Sequence, residues 1–93
     1  MKHTLEAINK HYGTPAKRGM KVRCGSRHGV ITAACRSNMY INVRWDGIPH
    51  SMPIHPFDID YLVDGQWQIG QEMCDRFNAR IDKWNQQLAG NDG

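Results

Sequence analysis

The sequence predicts a mainly β fold with flanking helices: a small curled antiparallel sheet between a short N-terminal helix and a long amphipathic C-terminal one. Three observations carry this. Apolar and polar residues alternate from Gly19 to Trp45, short strand-like runs are separated by tight-turn pairs, and the apolar period becomes helical after Gly70. Short strands joined by turns favour an antiparallel sheet closed on itself over a layered α/β arrangement.

In chain order, Leu5, Ala7, Ile8 and Tyr12 lie near one face of a short helix that Thr4 caps and Gly13 with Pro15 ends. The first strand follows Gly19, with Met20, Val22 and Cys24 on its apolar side and Lys21 and Arg23 on its wet side. Cys24 is therefore expected to be a small buried hydrophobe. After a turn at Gly25-Ser26, a second strand covers about Gly29 to Cys35. Ser37-Asn38 turns the chain into a third, Met39 to Trp45, and Asp46-Gly47 ends that one. Three prolines confine Ile48 to Pro56 to an edge strand or an irregular crossing. A tight turn at His55-Pro56-Phe57-Asp58 leads to a last strand, Ile59 to Leu62, which Asp64-Gly65 closes. Ile69, Met73, Phe77, Ile81, Trp84 and Leu88 then recur at helical spacing. The 93 residues are expected to form one domain, with the N-terminal helix in 1–13, the strands in 19–63 and the C-terminal helix in 69–89.

The charge is divided along the chain. No acidic residue lies between Ala7 and Trp45, so residues 1–45 carry +8 and residues 46–93 carry −5, for a total of +3. That asymmetry points to association with nucleic acid or with an acidic protein. No apolar run approaches the ~20 residues that span a bilayer, and the N-terminal residues lack the apolar stretch of a secretory signal. No membrane association is expected. Three widely spaced cysteines do not suit a disulfide framework and agree with a reducing, cytoplasmic setting.

Gly19-Met20-Lys21-Val22-Arg23-Cys24-Gly25, Gly29-Val30-Ile31 and Val43-Arg44-Trp45-Asp46-Gly47 together resemble the start of SH3-like barrels of the KOW and Tudor type. The resemblance covers about the middle half of the chain and implies a small SH3-like antiparallel barrel. Such barrels serve as nucleic-acid modules, peptide readers and adaptors, so it leaves the function open. A narrower set, Tyr12 to Gly19, Asp46-Gly47 and His55 to Leu62, resembles small bacteriophage and prophage proteins, which commonly have a Trp two places after the His-Pro pair or an aromatic beside it; here Phe57 follows directly. This resemblance implies a viral protein acting in the bacterial host cytoplasm and brings no activity with it.

Lys17, Arg18, Lys21, Arg23 and Arg27 surround the first strand, and Arg44 shares a side of the third with Tyr40 and Asn42. The set suits phosphate contacts with a tyrosine available for base stacking. No sequence-reading signature is present, so DNA or RNA would be held mainly by backbone charge. The competing class is protein binding: Phe77, Ile81, Trp84 and Leu88 make a stripe that must be covered by the domain itself, by a second copy in a homodimer or by a bacterial host protein. Under that reading the chain inhibits or adapts a host complex, and the proline-bearing segment is a second contact.

Cys24, His28, Cys35, His50 and His55 fit no zinc spacing, so no metal or cofactor is expected. No nucleophile elbow, phosphate-cradling loop or metalloprotease helix appears, and Asp58 and Asp60 read as a solvated edge rather than an acid and base pair. The expectation is a non-enzyme. Tyr40, Trp45, Phe57 and Tyr61 are the residues from which an aromatic cage for a methylated side chain would have to be built.

Overall fold

The computed structural model describes residues 4–35 and 38–90, with side chains as far as Lys83. The chain forms α1 (Leu5–Tyr12), β1 (Lys21–Cys24), β2 (Arg27–Ala34), β3 (Ile41–Trp45), β4 (Met52–Ile54), a 3-10 turn (Pro56–Asp58), β5 (Asp60–Val63), β6 (Gln66–Gln68) and α2 (Gly70–Gly90). All six strands lie in one antiparallel sheet of order β4-β3-β2-β1-β5-β6.

The alternation read from the sequence sets the buried face. Val22, Ile31, Ile41, Val43, Trp45 and Tyr61 point inward, and Ile8 of α1 and Met73 of α2 join them. The intervening residues Lys21, Val30, Asn42 and Arg44 form the other pleat. A bulge between Ile31 and Ala33 leaves Thr32 out of register, and its hydroxyl donates to the Asn42 carbonyl at 3.2 Å. Gly29 is buried opposite Trp45, where a Cβ would lie 2.9 Å from the indole and 2.8 Å from the Arg44 carbonyl oxygen. The missing side chain is what lets the indole close over β2.

Thr4 caps α1 by accepting from the Ala7 N–H at 3.0 Å, and Gly13 ends it with a 2.6 Å bond to the Asn9 carbonyl. Asn9 holds the chain that follows. Its amide donates to the Ala16 carbonyl, and its carbonyl accepts from the Thr14 hydroxyl and the Ala16 N–H. The three-proline segment supplies a short edge strand, β4, whose Pro53 lies opposite Asn42. The expected turn at Pro56 is the 3-10 turn, capped by His55 Nδ1 accepting from the Phe57 N–H at 3.1 Å.

The structure differs from the sequence reading at three places. A sixth strand, Gln66–Gln68, pairs with β5 across the Asp64-Gly65 turn. Cys24 is exposed, because β1 ends there and among the described residues no element packs over the hairpin. The α2 stripe is covered at its start only: Met73 is 2% exposed and Phe77 is half-buried among His11, Tyr12 and Phe57, but Ile81 is 42% exposed. The turn residue Ser37 and the side chains of Trp84 and Leu88 lie outside the described residues. Among the described residues, no helix is long and apolar enough to cross a membrane.

Candidate functional site

Register brings the basic residues of separate strands together. Lys21 pairs with Val30 across β1 and β2, and Val30 pairs with Arg44 across β2 and β3. Directly opposed residues in an antiparallel sheet share a face, so Lys21, Val30 and Arg44 make one transverse row, with the two cationic residues about 10 Å apart at the backbone. Both are exposed, and among the described residues neither forms an ion pair.

Arg23 is two residues from Lys21 on the same pleat, but its charge is engaged. Its Nε donates to Asp60 Oδ2 at 2.9 Å, and its guanidinium lies 4.3 Å from the centre of a Trp67 ring. Asp60 Oδ1 in turn accepts from the Gly70 N–H at 3.0 Å. The arginine thus ties β1 to β5 and β6, and Asp60 is committed to it and to the start of α2.

The other basic residues flank the row. Lys17 and Arg18 are exposed before β1, with Arg18 Nε donating to the Thr32 carbonyl at 3.0 Å. Arg27 is exposed at the β1–β2 hairpin, where it alternates with His28 and starts from the opposite pleat. Tyr40 stands apart, four positions and about 13 Å along the strand from Arg44. Its ring meets His55, which also meets Tyr12 and Phe57. The four aromatics considered for a cage do not converge, since Trp45 and Tyr61 are buried in the core.

Sequence reasoning missed the aromatic group on the basic face, Trp67, along with His28 and Asp46 beside it. Trp67 is half-buried opposite Leu62 on β5, and the His28 ring approaches it at 67° with centroids 6.0 Å apart. Lys21, His28, Val30, Asp46 and Trp67 line a shallow depression. A second, bordered by Val30, Arg44 and Asp46, lies beside it. The Asp64-Gly65 pair was the available signal, because it marks a two-residue hairpin turn and so a partner strand for β5.

The described residues contain no group of three or more His, Cys, Asp or Glu side chains placed to hold a metal ion. Among the described residues, the face offers positive charge without an ion pair at a set backbone spacing, an oriented indole and one carboxylate in a hollow between them. Comparison with protein families, with curated proteins and with solved structures found no match for the chain, so what this face does is argued from its own geometry.

Proposed function

We propose that this chain is a non-enzymatic, phage-type binding protein built as an SH3-like barrel, whose outer sheet face associates with DNA or RNA. The observation that carries the reading is the Lys21, Val30, Arg44 row: two cations without an ion pair among the described residues, set across β1, β2 and β3 beside Trp67. Fixed cations release condensed counterions from a phosphate backbone, and an aromatic ring adds sequence-tolerant stacking. Lys17, Arg18 and Arg27 extend the positive charge at both ends.

Chain connectivity supports barrel-like curling. On a flat sheet β4 and β5 are four strand spacings apart, about 19 Å. Residues 55–59 join them with a 3-10 turn in the middle, and such a connection reaches only roughly 16 Å. Bending of the sheet, which would bring its β4 side toward β1 and β5, accommodates so short a connection and so supports the barrel reading.

The test is fluorescence anisotropy of a labelled 20-nucleotide single strand over a series of salt concentrations. Binding should weaken steeply with salt, with a log-log slope of about −0.7 for each phosphate contact. Lys21→Glu with Arg44→Glu should abolish it at physiological salt while the circular dichroism spectrum stays unchanged. Salt-independent binding, or full binding by the double variant, overturns the proposal.

The exposed Ile81 favours a second reading, in which the outer part of α2 docks on a bacterial host protein or a second copy. A pull-down with and without nuclease separates the two readings. Loss of all captured protein after nuclease supports the nucleic-acid reading, and stoichiometric capture of one host protein that survives it supports the other.

A further inference from the structure

We propose that the hollow between Trp67 and Asp46 takes one unpaired base and favours bases that carry an exocyclic amine, which makes the ligand a single strand. This rests on the nucleic-acid reading above and names its ligand class. Trp67 is preorganised: Arg23 lies on its ring and is itself fixed by Asp60, and the His28 ring packs against it in a T-shaped arrangement. An aromatic side chain already held in place loses little freedom on stacking with a base.

Asp46 supplies the second half of the argument. It lines the hollow with Lys21 and Trp67, and it also borders the neighbouring depressions beside Arg44 and Arg27. Its backbone N–H donates to the His28 carbonyl at 2.8 Å, which holds the residue at the end of β3. Among the described residues its carboxylate makes no ion pair and no side-chain hydrogen bond. A carboxylate inside a cationic face repels phosphate, so backbone tracking alone gives it no part. It is a suitable acceptor for the exocyclic amine of cytosine, whereas thymine carries no such amine and offers only its ring N3–H. A base paired and stacked in a duplex cannot enter the hollow, whereas an unstacked one can.

The experiment compares labelled dC12, dT12 and a 12-base-pair duplex by anisotropy at one low salt concentration. Wild type should bind dC12 about tenfold more tightly than dT12, and the duplex more weakly than dC12. Trp67→Ala should cut single-strand affinity about tenfold, and Trp67→Phe should keep most of it. Asp46→Ala, on an exposed turn away from the core, removes the acceptor and should erase the dC12 preference. Equal affinity for dC12 and dT12, a preference that survives Asp46→Ala, or a Trp67→Phe loss as large as that of Trp67→Ala overturns the proposal. If all three ligands bind with equal affinity and Trp67→Ala changes nothing, the nucleic-acid reading stands and this inference fails. If none binds wild type, both fail.

Discussion

Asp60 links three elements with one carboxylate: Oδ2 accepts from Arg23 of β1, and Oδ1 accepts from the first N–H of α2. The ion pair is partly exposed, with 30% and 24% of its two side chains accessible, so solvent screening keeps the charge contribution small. Asp60→Asn retains an acceptor for Gly70 and should cost about 1 kcal/mol in urea unfolding, whereas Asp60→Ala removes both bonds and should cost about 2 kcal/mol. Loss of the carboxylate also frees Arg23 from its position over Trp67, so both variants should alter the tryptophan emission spectrum. Gly29 is constrained by shape alone. A methyl group there meets the Trp45 ring, a Val43 methyl and the Arg44 carbonyl oxygen inside ordinary contact distance, and backbone cannot move aside cheaply. Gly29→Ala should destabilise by about 1–3 kcal/mol, read from the same unfolding curves, although it adds only one carbon.

At the scale of elements, α2 divides into a packed part and a projecting part. Phe77 meets His11, Tyr12 and Phe57 at ring centroid distances of 5.4–5.8 Å, and one turn later Ile81 is largely in solvent. Phe77→Ala should therefore cost about 2–3 kcal/mol, and Ile81→Ala less than about 0.5 kcal/mol, both measured by chemical denaturation. A cost at Ile81 that grows with protein concentration would instead reveal a self-association seam. The helical period of this stripe was plain in the sequence, but the point at which its cover ends was not, because that depends on where the 3-10 turn and α1 sit. Strands with clean alternation were legible for the same reason: Val22 and Val43 name the buried face without help from tertiary structure. Gln66-Trp67-Gln68 has a single apolar residue and is too short to show a period, so β6 was signalled only by the turn before it. Asp64 and Gly65 both adopt positive φ, 51° and 80°, as a two-residue hairpin loop of this hand demands. The candidate site was legible as a set of cations, but which of them are free was not. Arg23 and Lys21 look equivalent on β1 until Asp60 arrives from 37 positions away.

At the scale of the whole molecule, Tyr61 couples stability to pH. It is completely buried in β5, and its hydroxyl donates to the Pro56 carbonyl at 2.7 Å, which joins the sheet to the 3-10 turn. Burial pushes its ionisation well above the ordinary tyrosine value, with a smaller opposing effect from the neighbouring Thr14 hydroxyl. The folded state therefore keeps the phenol neutral under conditions in which the unfolded chain, with a pKa of about 10, releases the proton. The unfolded state binds fewer protons over that window, so stability falls as pH rises. Stability from this residue is fully present below about pH 10 and drains above it with a limiting slope of about 1.4 kcal/mol per pH unit. The net charge of the chain also changes at high pH, so the wild-type curve alone does not isolate the tyrosine. Tyr61→Phe does. It should cost about 1 kcal/mol at pH 8, where the Pro56 carbonyl loses its donor, and the deficit should shrink and then reverse as pH rises toward 11. Urea midpoints of the two proteins at pH 8, 10 and 11 decide it. A constant difference across the three would mean that the phenol ionises in the folded protein as easily as in water, which a fully buried hydroxyl bonded to a backbone carbonyl does not allow.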